Sequence, residues 1–179
     1  MRIIDNVSDL LGDDLPRLEL PVDTTPADPA TFAGARHAFT TTVGRAAIAD
    51  LARRCGATPY LVVLAAVTRL LGLTSGQREF VLGTATSGRT VPGCEGTVGM
   101  FVNTLPLRVT DDADRTVREA IAAARDAALP VLSHQDAPFE AVLAALGLQP
   151  GGEAHPLFDV LLNYVSTGTD ELQLDGARL

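Results

Sequence analysis

Val98-Gly99-Met100-Phe101-Val102-Asn103-Thr104-Leu105-Pro106-Leu107-Arg108 carries one formal charge in eleven residues, at its far end. The stretch is rich in residues that suit a pleated surface, and Gly93 and Gly96 stand just before it. It is therefore predicted to be a buried strand. Side chains alternate across a strand, so Phe101, Asn103, Leu105 and Leu107 share one face and Met100, Val102 and Thr104 the other. Asn103 falls among apolar neighbours. A buried amide without partners costs about 1–3 kcal/mol, so Asn103 is expected to be hydrogen-bonded or to line a polar channel. Phe101 is expected in the core, where truncation to Ala costs about 3–5 kcal/mol.

Working outward, Glu79 to Thr86 reads as the preceding strand, with Phe80, Leu82 and Thr84 on one face. The glycine-rich stretch from Ser87 to Gly96 joins the two. Asp111, Asp112 and Asp114 end the central strand and open a helix from Arg115 to Leu129, with Val117, Ala120, Ile121, Ala124 and Ala128 inward. A second helix runs from Asp136, as N-cap, to Leu146, with Pro138 in its first turn. Leu157 to Val165 is a further strand carrying Phe158, Val160, Leu162 and Tyr164 on one face, and Glu171 to Leu174 a last one.

Upstream, Ile3, Ile4, Val7, Leu10 and Leu11 form one helical face that Gly12 ends. Four prolines between Leu15 and Pro29 prevent a helix and predict an extended, stiff arm laid across a surface. Arg36 to Thr42 reads as a strand. Gly44 to Cys55 is a helix with Ala47, Ile48, Leu51, Ala52 and Cys55 in one stripe. Thr58 as N-cap and Pro59 at the first position start another, reaching Leu71. That helix is apolar nearly all round and should be the most buried, with Gly72 and Gly76 bracketing the turn after it. Pairs of helices between strands predict an α/β two-layer sandwich, a mixed sheet with paired helices on one face.

Composition excludes several classes. The 179 residues suffice for one domain with a sizeable core, and the net charge of −8 without any Lys/Arg run argues against nucleic acid. Aromatics are 4% and Trp is absent, so the core must rest on Leu, Val, Ala and Ile. Cys55 and Cys94 are isolated and make neither a zinc cluster nor a disulfide framework. Met1-Arg2-Ile3-Ile4-Asp5 has no signal-peptide core, and the longest apolar run, Tyr60 to Val67, is too short for a membrane span. A cytoplasmic protein is expected.

Chemistry is sparse. Gly83-Thr84-Ala85-Thr86-Ser87-Gly88-Arg89-Thr90 is no P-loop, because Arg replaces Lys and no helix follows. His37, His134 and His155 form no metal-ligand pair. His134 with Asp136 has the form of an acid–base pair, but the same residues suit the start of a helix. Ser87 and Ser133 lack a nucleophile elbow. No complete active site, no metal site and no catalytic residue is read from these residues.

Three stretches together resemble the condensation domains of nonribosomal peptide synthetases. Val98 to Arg108 resembles that family's Gly-x-Phe-Val-Asn-Thr…Arg motif through Gly99, Phe101, Asn103 and Arg108. His134-Gln135-Asp136-Ala137-Pro138-Phe139-Glu140 is similar to its His-Gln-Asp-x-Pro-Phe-Glu motif, and His155-Pro156-Leu157-Phe158 to the end of its Asn-Pro-Leu-type motif. The arm at Leu20 to Asp23 and the turn from Gly83 to Arg89 fit in the same order. The resemblance implies one lobe of a chloramphenicol-acetyltransferase-like fold, in which two lobes enclose a tunnel for two carrier-bound substrates. The chemistry implied is amide formation between an acyl thioester and an amine. The catalytic His-His-x-x-x-Asp-Gly motif of the family's N-terminal lobe does not occur here. The chain is accordingly expected to be part of a C-terminal lobe, inactive alone, with residues 1–30 as N-terminal helix and inter-lobe arm and 31–179 as the partial lobe. The alternative is a non-catalytic adaptor in a synthetase pathway.

By the same resemblance, Asn103, Ser87, Gly88 and Arg89 are expected along the substrate tunnel. Gly99, Phe101, Arg108, His134, Asp136, Pro138, Phe139 and Pro156 are expected to be structural, with Arg108 pairing an acid at the strand end. No cofactor is expected on the chain itself; phosphopantetheine would arrive on carrier proteins. Carrier proteins and neighbouring synthetase domains are the implied partners, with a homodimer as a further expectation, and neither nucleic acid nor membrane.

Overall fold

The structure is a computed structural model that describes residues 2–12, 14–21, 34–94, 96–149, 155–165, 173–174 and 177–178. The arm from Val22 to Pro29, the division at residues 30 and 31, and the start of the Glu171 strand lie outside the described residues.

The sheet is built around β1 (Glu79–Thr86), which pairs antiparallel with β2 (Asn103–Thr110), Glu79 opposite Thr110 and Thr86 opposite Asn103. On its other side β1 pairs in parallel with β3 (Leu161–Leu162), giving the order β2-β1-β3. Both faces of β1 are buried, as expected of a central strand: Phe80 and Leu82 point into one core and Val81 into another. Pro106 stands opposite Gly83. The Gly83 N–H donates to Val160 O at 2.9 Å, away from β2. The pair therefore exchanges no hydrogen bonds, and the position where proline lacks its N–H faces the outer side of β2.

One face carries α2 (Arg45–Arg54), α3 (Pro59–Ser75) and α4 (Val117–Leu132), whose Leu61, Leu64, Ile121, Ala128 and Val131 pack on Phe80, Leu82, Leu105, Leu107 and Val109. This is the expected mixed α/β sheet, with three helices instead of a pair on this face. The opposite face is covered too, by α1 (Arg2–Leu11) and α5 (Phe139–Ala145), through Val7, Leu11, Val142 and Leu143 against Val81, Leu157 and Phe158. β4 (Gln173–Leu174) and β5 (Ala177–Arg178) form a small antiparallel hairpin.

The described part of the arm lies on its own sheet. Val81 N–H donates to Pro16 O at 3.0 Å, on the same side of β1 that β3 occupies further along. Leu18 is buried in the main core. The Gln77 amide brackets the arm by donating to Arg17 O (2.8 Å) and accepting from Glu19 N–H (2.6 Å). Arg17 makes a two-pronged pair with Asp159 (2.9 and 2.6 Å).

Several boundaries differ from expectation. The strand expected to be central is β2, which stands at the edge of the described sheet beside β1 and begins at Asn103, not Val98; Val98 and Met100 are 99% and 95% exposed and Phe101 is only half-buried. Its partner β1 ends at Thr86, opposite Asn103, so residues before 103 have no ladder to join. Arg36 to Thr42 is not a strand but exposed irregular chain, since no described strand pairs with it. Gly72 lies inside α3 instead of in the following turn, and only Gly76 ends the helix, at φ 75°. α4 starts at Val117 because Thr116 and Glu119 form a capping box, and it runs past Pro130 to bury Val131. Val117 is exposed, not inward. Only Leu161–Leu162 of the Leu157–Val165 segment is paired. His155 Nδ1 accepts from Leu157 and Phe158 N–H, making a turn there, so Phe158 joins the opposite core from Val160 and Leu162.

Candidate functional site: a cleft at the start of the second strand

After β1 the chain turns at Gly88, whose φ of 62° and contact with Phe101 O leave no room for a Cβ. Phe101 is thereby held beside the loop. The Arg89 guanidinium lies 4.2 Å from the centre of the Phe101 ring, and its Nη1 donates to Cys94 O. A cation over an aromatic face is worth about 0.5–1 kcal/mol at an exposed site. Phe101 is thus a half-buried ring stacked under Arg89 at the edge of the cleft, which corrects the expectation of a core aromatic.

Asn103 follows. Its Nδ2 donates to Gln135 O (2.8 Å) and Ala137 O (2.7 Å), and its Oδ1 accepts from Thr104 N–H (2.9 Å). One side chain thus ties the first residue of β2 to the turn between α4 and α5. His134, in that turn, is equally committed. Its Nδ1 lies 2.8 Å from Pro130 O and its Nε2 3.0 Å from Asn6 Nδ2, which assigns the proton to Nδ1 and links α1 to the turn. Ser133 Oγ donates to Pro130 O, so the Ser133–His134 contact is no nucleophile–base pair. Asp136 does not cap α5. Pro138 holds the N-cap position with no side-chain bond, and Asp136, two residues earlier, accepts from Thr90 Oγ1 at 3.0 Å. That bond joins the loop after β1 to the same turn.

The result is an open cleft with Gly88, Phe101 and Asn103 on one side and Asp136, Pro138 and Phe139 on the other. Of the residues singled out from the sequence, these six meet there. Arg89 lies behind Phe101, and Ser87 is exposed next to the turn. Gly99 is on the exposed approach to β2. Arg108 is at the other end of β2, donating to Glu79 Oε1 (2.7 Å), Leu11 O (2.6 Å) and Asp14 O (2.7 Å). The Glu79 bond raises the guanidinium pKa and holds the Glu79 carboxyl below its ordinary value. Pro156 is half-buried in the His155 turn.

Sequence reasoning placed His155 in a family-like stretch but gave it no role. Its ring stacks on Phe158 with centroids 4.0 Å apart and lies 5.5 Å from Phe139, so the aromatic wall of the cleft continues into the second core. Burial against these rings pushes the imidazole pKa down, against the pull of nearby Asp159. The aromatic residues Phe139 and Phe158 beside a His-Pro turn were the only available signal. Among the described residues, no group of three His, Cys, Asp or Glu is placed to hold a metal ion, and no single helix is long and apolar enough to cross a membrane.

The family model for the condensation domain matches residues 8–177. Tyrocidine synthase 2 of Brevibacillus parabrevis is 35% identical over 169 residues, which cover 94% of this chain and 5% of that protein. Among solved structures, the X-domain from teicoplanin biosynthesis superposes with a TM-score of 0.69 at 26% identity, covering 90% of this chain and 37% of the other. The first condensation domain of the CDA synthetase gives 0.59 at 25% identity, covering 72% and 29%. The chain therefore spans a small part of the proteins it matches.

Proposed function

The chain belongs to the condensation-domain family, and we propose that it forms one wall of the passage in which such a domain joins an acyl thioester to an amine. In that reaction the amine nitrogen attacks the thioester carbonyl. A C–N bond forms, the C–S bond breaks, and the amine proton leaves while the thiol is released. His134, beside the cleft, has both ring nitrogens engaged and is not free to take that proton, and the sequence holds no His-His pair. The chain's part is positioning. It presents Phe101 and Phe139, set at a fixed separation by Asn103, along an open cleft to a slender substrate arm delivered by a carrier protein. The phosphopantetheine arm, with amides spaced by short carbon chains, suits a cleft that sets the Asp136 carboxylate among aromatic rings. The reading rests on the Asn103 clamp, which holds the strand and the α4–α5 turn at a fixed separation.

Chloroacetyl-pantetheine tests this proposal. In a Cys55→Ser, Cys94→Ser background, Val102→Cys places a thiol at the cleft and Leu129→Cys places an equally exposed one on α4. Selective alkylation at 102, competed by pantetheine, is expected. Equal labelling at both positions, or none at 102, would reject the assignment.

A further inference from the structure

At the opposite end of β2, roughly 20 Å from the cleft by strand rise, α2, α3 and α4 enclose a second space that the proposed reaction does not use. It is a cavity of ≈ 310 Å³ between α3 and α4, bounded by Val109 to Asp112 at the strand end. Its walls are largely methyl groups: Ala65 and Ala66 on α3 face Ala120, Ala123 and Ala124 on α4. Protein interiors normally close such gaps. Here two polar ties fix the elements around the cavity. Arg118 Nη1 donates to Arg54 O (2.9 Å), pinning α4 to the end of α2. Arg69 Nη1 donates to Asp111 Oδ2 (2.7 Å), and Asp111 is seated against Gly72, where a Cβ would collide with it.

The cavity is not purely apolar. Thr68 lines it, is buried, and has an Oγ1 with no partner among the described residues. A hydroxyl in that position favours an occupant with a polar group over a plain hydrocarbon. Arg115 stands at the rim. Its Nη1 donates to Thr110 O (3.0 Å) and Oγ1 (3.2 Å), and its Nε is 3.9 Å from the Asp112 carboxylate, a loose ion pair longer than a hydrogen bond that a bound carboxylate would have to share. Guanidinium has five N–H donors in a planar fork that matches a carboxylate. Among the described residues, no acceptor lies within hydrogen-bond distance of Arg115 Nε or Nη2.

We propose that this cavity is a binding site for a medium-length aliphatic carboxylate, with the chain between the alanine walls and the carboxylate on Arg115. A cavity half this size holds a six-carbon ring, so the space takes roughly ten carbons. The site does not depend on the function assigned to the cleft.

Calorimetric titration of the purified chain with decanoate and with 1-decanol, below their aggregation limits, tests it. Decanoate is expected to bind with one molecule per chain and more tightly than decanol. Ala124→Leu, which fills the cavity, should weaken decanoate by about tenfold or more without lowering the melting temperature. If that variant does not fold, Ala120→Leu fills the same wall nearer the rim. Arg115→Gln should weaken decanoate and leave decanol unchanged. No saturable binding, or decanoate binding indifferent to the filling variants, overturns the site. Decanol binding as tightly as decanoate, with Arg115→Gln affecting neither, overturns the assigned ligand class. Because none of these variants touches the cleft, pantetheine labelling at position 102 should be unchanged.

Discussion

Asn103 commits both amide hydrogens to the α4–α5 turn and its oxygen to its own strand. Asn103→Ala leaves Gln135 O and Ala137 O without their donor, and a loss of about 1–3 kcal/mol is expected from the urea midpoint at unchanged slope. Asn103→Asp keeps the shape but sets a carboxylate against two carbonyl oxygens, so it should lose at least as much. Near-native midpoints for both variants would show that the turn is held by something else. That this amide needed partners was readable from its apolar neighbours. Their identity was not, because both are backbone carbonyls more than thirty residues away, and no local pattern encodes such a pairing. Phe101 shows the converse. It alternates with the core residues of β2, yet the ring rests under Arg89 because the neighbouring strand has already ended.

Helix starts decide how the elements around the cleft are set. Thr116 caps α4: its Oγ1 accepts from Glu119 N–H, and the Glu119 carboxylate accepts from Thr116 N–H at 2.8 Å. Asp136 does no such service for α5. Thr116→Ala should therefore lose about 0.5–2 kcal/mol, while Asp136→Ala, at an exposed position, should change stability by no more than about 0.5 kcal/mol. Thermal melts of the two variants give the comparison, and the reverse ranking would restore Asp136 as the cap. Elements with a strong internal pattern were legible: β1 falls where alternation put it, and α3 starts at the Thr58-Pro59 signal. Those whose form depends on a distant partner were not. Arg36–Thr42 and Val98–Val102 are strand-like in composition but meet no free edge among the described residues. Proline at 138 took the N-cap place from an aspartate two residues too early. The cavity beside α4 left no trace beyond its alanines, since a gap is a property of two facing helices, not of either one.

For the whole molecule, acid should act in two stages. The His155 pKa is lowered by burial from the ordinary 6.5. The unfolded chain therefore takes up this proton more readily, and the stability the ring contributes is full above 6.5 and lost as pH falls through the lowered value. Glu79 is held below its ordinary 4.5 by the hydrogen bond from Arg108. Its contribution is full above 4.5 and lost only in stronger acid. Melting temperature should be level above neutrality, decline gently below 6.5 because the His155 ring is still partly open to solvent, and fall again below 4.5. His155→Phe should remove the first decline alone; an unchanged profile in that variant would assign it to another group. A different kind of consequence follows from Pro106. The outer side of β2 has no donor midway along its length. A strand from another molecule that tried to extend the sheet there would lose a rung at the middle of the ladder. Runaway cross-β growth from this side is thus disfavoured by the backbone itself, whatever covers the strand.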